Sequence, residues 1–464
     1  MTSRHTLRAA AVAAAVAAAG AALAAAACSK DPVIVGVVTP TSAPFMARYV
    51  ALGNSITAGY QSGGINDSTQ RRSYARMLAL AAGATYRYAS LANPGCPPPI
   101  ANFVTGDRGT LGGVANTATT CLFRDPASVT SLLNNVAVPG ANSFDPNGTG
   151  VVTTPGSAGG YNILTNFILG SRTQVERAVQ LDPTFASIWI GNNDVLSFAI
   201  SGTTAGVTAL TTFVGNYAAM VNTLRAGSPN LRGGVLIGVV DVTNIPLLIP
   251  ISVINPASNG TGANAFQQAA LVGVRTLFGA TTPGVFTGPR PATFAVTFNA
   301  NCNASVSEIS ILALQQIAAA VPAAAPGYQF NCAVGNGTTA GTGATPGLLD
   351  DAERKVFVDR VIAYNAYIKA KADSIGFAYL DPNALLTPLK QQGVIPPFPN
   401  LAVPTAAFAA SAGTAQQVRF ITNDGVHPST TAHYVLANAL IDVINTKYTA
   451  SIRKLTPADT ASGL

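Results

Sequence analysis

Short apolar runs, each ending in a turn signal and alternating with stretches of helical periodicity, constrain this chain more than any other feature. Five runs stand out: Tyr49–Leu52, the stretch from Asn134 to Gly140, the stretch opening at Ile188, Gly234–Val242 and Phe377–Leu380. Between them, Ser73–Ala82 carries Tyr74, Met77 and Leu78 on one face, and Gln174–Gln180 is opened by a Thr173/Glu176 capping box. Phe213, Tyr217, Val221 and Leu224 form one helical stripe; Phe357, Val361, Tyr364 and Ile368 form another within Asp350–Ser374. A last helix is predicted over Thr430–Lys447, with Pro428 at its first position. Strands alternating with helices predict an α/β fold, with a mostly parallel sheet covered on both faces. Gly234–Val242 is apolar on both faces, as a central parallel strand should be. Residues 246–348 break the rhythm. They are rich in Pro, Gly, Asn and Thr, with one predicted helix over Ser305–Ala320, and read as a loop-rich insertion. A Pro-rich loop is predicted from Pro388 to Pro404.

The chemistry-bearing residues fall at the ends of these runs. Tyr49–Leu52 breaks at Gly53-Asn54 and presents Ser55, with Gly59 allowing a second turn. A serine just past a strand end can be exposed and still rigidly held. Of three histidines, His5 lies in the leader and His433 in the predicted last helix, where it reads as a surface or packing residue. His427 is therefore the candidate base. Asp424 precedes it by three residues across Gly425, close enough to hold one ring nitrogen and leave the other for a serine proton. The Ile188 run ends in Gly191-Asn192-Asn193-Asp194, and the Asn134 run ends at Gly140. A backbone N–H at Gly140 and an amide at Asn193 could both donate to an oxyanion.

These four blocks, in this order, resemble those of the SGNH (GDSL-type) hydrolases, with Ser55, Gly140, Asn193 and His427 in the family's four positions and Asp424 as third triad member. The resemblance rests on four short stretches, three in the first half of the chain and one near its end. Where the family's first block reads Gly-Asp-Ser, this chain has Gly53-Asn54-Ser55, which keeps a carbonyl acceptor and loses a charge. The resemblance implies a three-layer α/β/α fold around a five-stranded sheet. It also implies an esterase or lipase-like activity on a lipid, glycan or small-molecule ester, with Ser55, Gly140 and Asn193 as the oxyanion hole and no metal or organic cofactor. A second reading, carried by Asn54 and the large insertion, is a non-catalytic surface lipoprotein that uses the same fold to bind.

The ends of the chain point to export. Arg4 and Arg8 precede an almost unbroken apolar run, Ala9–Ala27, which reads as a signal peptide over residues 1–27. It ends in Ala25-Ala26-Ala27-Cys28, which resembles a bacterial lipoprotein signal with Cys28 as the lipidated residue, although Leu23 lies two positions too early. Cleavage at the small residues by an ordinary signal peptidase is the alternative. Residues 28–45 read as a tether, 46–450 as the hydrolase-like domain and 451–464 as a tail. With Cys28 lipidated, Cys96, Cys121, Cys302 and Cys332 remain, an even set suited to an oxidising compartment. Four cysteines allow three connectivities; pairing neighbours in sequence joins Cys96 to Cys121 and Cys302 to Cys332. The expected location is a bacterial cell envelope, membrane-anchored through the lipid, or else periplasmic or secreted. No Cys-x-x-Cys or paired-His spacing points to zinc. The formal charge of +7 loses two units with the leader, and no basic stripe interleaved with aromatics marks a nucleic-acid surface. Charged residues make up only 10% of the chain, which fits an exported protein with long neutral loops.

Overall fold

The computed structural model describes residues 43–100, 108, 110–111, 114–115, 124–125, 131–148, 163–170, 172–258, 260, 263–279, 294–322, 325–334, 345–398 and 420–461. The leader, Cys28, most of the tether and Cys121 lie outside them. In chain order the strands used below are β1 (Tyr49–Gly53), β2 (Phe185–Trp189), β3 (Gly233–Ile237), β4 (Leu248–Pro250), β5 (Glu308–Ser310), β6 (Leu348–Leu349) and β7 (Ala378–Leu380). The helices are α1 (Ser55–Ala58), α2 (Tyr74–Ala81), α3 (Gln174–Leu181), α4 (Leu210–Gly227), α5 (Ala265–Gly279), α6 (Ile311–Ala320), α7 (Asp351–Ile375), α8 (Pro382–Gln391) and α9 (Thr430–Tyr448).

The main sheet runs β1-β2-β3-β7, every pair parallel. All residues of β1, β2 and β3 are buried, so both faces of the sheet are covered. α2 and α9 pack together on one side; α3, α4 and α7 form the other layer. The fold is α/β with helices on both faces, as the alternation predicts.

The five-stranded expectation needs one correction. Residues 134–138 run parallel to the outer side of β1, with Ala51 N–H donating to Asn134 O (2.7 Å), Val136 N–H to Ala51 O (3.0 Å) and Val138 N–H to Gly53 O (3.1 Å). They do not form a continuous strand, because their own side chains take ladder positions. Asn134 Nδ2 donates to Tyr49 O (2.7 Å), and Asn135 Oδ1 accepts from Ala137 N–H (3.0 Å). With this segment at the edge the spatial order is two-one-three-four-five, and the order reverses beside β1, where Ser55 emerges.

β3 is shorter than the predicted Gly234–Val242. Gly238 N–H still donates to Leu380 O (2.9 Å), but beyond it neighbouring asparagines replace sheet partners: Asn365 Oδ1 accepts from Val239 N–H (2.6 Å), Asn192 Oδ1 from Val240 N–H (3.0 Å) and Asn383 Oδ1 from Asp241 N–H (2.7 Å).

Residues 246–348 hold more structure than predicted. β4, β5 and β6 form an antiparallel sheet in the order β6-β5-β4. α5 was absent from the sequence reading, although Ala270, Val274 and Phe278, all fully buried, repeat every four residues. The predicted Ser305–Ala320 helix starts only at Ile311. Ser310 caps it, accepting from Ala313 N–H (3.1 Å), and the preceding residues form β5. Cys302 and Cys332 are disulfide-bonded, joining neighbours in sequence as expected. Cys96 is disulfide-bonded as well.

Two further corrections concern the C-terminal part. Part of the predicted Pro388–Pro404 loop is helical: α8 contains Pro388, is capped by Asp381 and has Pro382 in its first turn. The last helix is capped by Ser429, so Pro428 lies outside it.

Candidate active site

Gly53 closes β1 in a position where a side chain would collide with Thr57. Its N–H donates to Gln174 Oε1 and its carbonyl accepts from Gln174 Nε2, each at 2.9 Å, so α3 clamps the strand end. Asn54 is buried, and its Oδ1 caps α1 by accepting from Ile56 N–H (3.2 Å). Ser55 is the first residue of α1, and Gly59, at φ +92°, ends the single turn. The cap uses only the carbonyl oxygen that Asn and Asp share, so Asn54 performs it without a charge.

The other half of the site is the 420–428 hairpin. Thr422 N–H donates to His427 O (2.9 Å), and Ile421 bridges Pro428. Gly425 turns at φ +72°, with Phe398 and Leu247 packed where a Cβ would stand. Asp424 Oδ1 accepts from the N–H groups of Val426 (2.9 Å) and His427 (2.8 Å). Its Oδ2 accepts from His427 Nδ1 (2.6 Å) and Gly63 N–H (2.5 Å). Burial pushes the Asp424 carboxyl up, but the neighbouring imidazole and these hydrogen bonds outweigh it and hold the group at about 2. His427 Nε2 is 2.8 Å from Ser55 Oγ, across 372 residues of sequence. The Tyr60 ring lies 4.8 Å from the imidazole, limiting its rotation.

Asn193 and Gly140 belong to two further segments, joined by one hydrogen bond. Asn193 Nδ2 donates to Ala141 O (2.9 Å), which leaves a second amide hydrogen to offer. Asn193 shares a cavity with Ser55 and His427; Gly140 is not among its lining residues and reaches Asn193 only through Ala141. Among the described residues, no acceptor is bonded to the N–H of Ser55 or of Gly140. Asp194 fastens the Gly140 loop, accepting from Ser143 N–H (2.8 Å) and Ser143 Oγ (2.7 Å). Burial raises the pKa of Asp194. Gln174, Ser143 and Asp194 thus hold the site, and the sequence reading missed all three. Only Asp194 carried a signal, through its place beside Asn193.

Asn192 points elsewhere. Its Oδ1 accepts from Val240 N–H, and its Nδ2, like Asn54 Nδ2, is buried without a partner among the described residues.

His433 is fully buried on α9, and its Nδ1 accepts from Tyr74 N–H (3.2 Å), one of the donors left unpaired at the start of α2. Burial, reinforced by the charge of His427, pushes its pKa down to about 3. A histidine buried neutral must be protonated on unfolding at acid pH. Stability is therefore full above the unfolded value of about 6.5 and falls as the pH drops from there towards about 3. From pH 7 to pH 5 this group alone should cost about 2 kcal/mol. Denaturant melts of wild type and His433→Gln should show that loss shrinking in the variant; equal pH slopes would contradict it.

A part-open cavity lies beside Ser55 and His427, lined mostly by apolar side chains among the described residues. Among the described residues no helix is long and apolar enough to cross a membrane. A search of curated proteins found no match to this chain. The family model of the GDSL-like Lipase/Acylhydrolase proteins matches residues 49–440, from the first residue of β1 into α9. With that match covering most of its length, the chain belongs to the GDSL-like lipase/acylhydrolase family of esterase- and lipase-type hydrolases.

Proposed function

We propose that the protein is an exported serine hydrolase of carboxylic esters, with Ser55, His427 and Asp424 as its catalytic triad. The observation that carries this is the chain of two short contacts, Ser55 Oγ to His427 Nε2 at 2.8 Å and His427 Nδ1 to Asp424 Oδ2 at 2.6 Å. Ser55 Oγ attacks the ester carbonyl as His427 Nε2 takes the hydroxyl proton. The new Oγ–C bond pushes the carbonyl electrons onto oxygen, which the Ser55 and Gly140 N–H groups and the Asn193 amide stabilise. Collapse breaks the bond to the alcohol, which leaves with the proton from His427. Water, deprotonated by the same nitrogen, then releases the acid and restores Ser55. Asp424, bonded to Nδ1, orients the ring and stabilises its charged form.

The test is hydrolysis of a chromogenic short-chain ester across pH. Asp424 stays ionised down to about 2, so loss of its charge does not set the acid limb above that value. Activity should fall on acidification within about pH 5 to 8, the window in which histidines generally titrate. A flat rate through that window would contradict a histidine base.

Export and anchoring rest on the Ala-rich leader and Cys28. The expected mature form begins at a lipid-modified Cys28, and the intact mass of the N-terminal peptide tests it. An unmodified peptide starting elsewhere would remove the anchor and leave the hydrolase reading intact.

A further inference from the structure

The turn that follows Ser55 is tied to all three residues of the proposed triad. Gly59, at φ +92°, turns the chain, and Tyr60 N–H donates back to Ser55 O (2.8 Å). Gln61 and Gly64 then close a tight turn, each N–H donating to the other's carbonyl (2.8 and 3.1 Å). The tip of that turn meets the His427 hairpin. Ser62 N–H donates to Thr422 Oγ1 (2.8 Å), and Gly63 N–H donates to Asp424 Oδ2, the oxygen that also holds His427 Nδ1. Gly63 O in turn accepts from the Tyr60 hydroxyl (2.7 Å) and from Arg108 Nη1 (2.6 Å). Burial pushes the Tyr60 hydroxyl up to about 12, so it stays a donor across the range in which histidine titrates.

The Tyr60 ring completes the arrangement. Its centroid is 4.8 Å from that of the His427 ring, with the two planes inclined at 52°. Tyr60 also packs against the buried cluster of Ala58, Ile65, Leu91, Cys96 and Ala137, so it is itself held. It is not among the residues lining the cavity beside Ser55, so it acts on the imidazole and not on a ligand there. The imidazole needs such a contact because its terminal torsion is broad, and the hydrogen bonds at its two nitrogens orient it. One of those bonds is lost during turnover. When Ser55 Oγ carries the acyl group it has no proton to donate to Nε2. The Asp424 bond and the Tyr60 ring then aim the nitrogen that must deprotonate water.

We infer that Tyr60 is a positioning residue of this site: its ring sets the angle of the His427 imidazole against Ser55, and its hydroxyl steadies the Gly63 peptide that donates to Asp424. Because Arg108 also bonds Gly63 O, the ring carries the larger share of the effect. The inference rests on the hydrolase reading for its effect on rate; the hold on His427 is measurable without turnover.

Tyr60→Leu removes the ring, and Tyr60→Phe keeps it. At matched folded fraction, kcat for a chromogenic ester should fall about 10–100-fold in Tyr60→Leu with no rise in KM, the scale of loss when a catalytic group is displaced by up to about 1 Å. Tyr60→Phe should restore most of the rate, losing at most about five-fold, the worth of one neutral hydrogen bond. Proton NMR reads the alignment directly. The downfield resonance of the proton between His427 Nδ1 and Asp424, assigned by its absence in His427→Ala, should be sharp in wild type and Tyr60→Phe and broadened or lost in Tyr60→Leu. Equal kcat in wild type and Tyr60→Leu, a raised KM with kcat intact, a loss in Tyr60→Phe as large as in Tyr60→Leu, or an unchanged resonance would overturn the inference. If wild type turns over no ester, the hydrolase reading fails and the resonance alone decides: its loss in Tyr60→Leu upholds the hold on His427, and its persistence overturns it.

Discussion

Replacing Ser55 by alanine is expected to lower kcat/KM for a chromogenic ester by on the order of 10⁶-fold where chemistry limits turnover. The fold should survive. Asn54, not Ser55, caps α1, and the Ser55 hydroxyl is bonded to His427 Nε2. His427→Ala should lose a comparable factor at a greater structural cost, because it strips the partly buried Asp424 carboxylate of its ring partner and Tyr60 of its neighbour. The double variant should be hardly worse than either single one, since residues acting as a unit lose their effect together. Independent, multiplicative losses would show that the two side chains do not serve one step.

Asn193→Ala is expected to lower kcat by roughly 10²–10³-fold, the loss typical of an oxyanion donor. An interaction made only in the transition state lowers kcat and kcat/KM equally, leaving KM unchanged. The variant also loses the bond to Ala141 O, but Ser143 and Asp194 still fasten the Gly140 loop. Asn192→Ala is the control. It strands Val240 N–H in the interior and should cost about 1–3 kcal/mol of stability, with little change in rate per folded molecule. Matching kinetics in the two variants, or a raised KM with kcat intact for Asn193→Ala, would contradict this oxyanion assignment.

The parts of this molecule legible from sequence are those set by local pattern. The Phe357–Ile368 stripe buries one face of α7, and Thr173 and Glu176 form the capping box that opens α3. The Ser55 turn and the Asp424-to-His427 turn were legible for the same reason, each being specified by a few adjacent residues. What escaped depends on distant partners. Nothing local in Gln174 reveals that it clamps Gly53, 121 residues away. Gly234–Val242 looks like one strand because apolar residues continue past Ile237; that the backbone there is bonded by Asn365, Asn192 and Asn383 is a tertiary fact. The Asn134–Gly140 run looked like a strand, and its asparagines, free to bond backbone, break the ladder. The cavity was illegible altogether, since its walls come from α1, the end of β2, the segment after β3, α8, the His427 hairpin and α9.

The central claim is that Ser55 is a nucleophile activated by His427, and covalent trapping tests it most directly. A fluorophosphonate reacts with a serine whose proton is drawn away by a neighbouring base, and the adduct is read by intact mass and peptide mapping. The account predicts one adduct, on Ser55, in the wild-type protein, no labelling of Ser55→Ala and markedly slowed labelling of His427→Ala. Equal labelling of wild type and Ser55→Ala, or an adduct mapped to another serine, would contradict it.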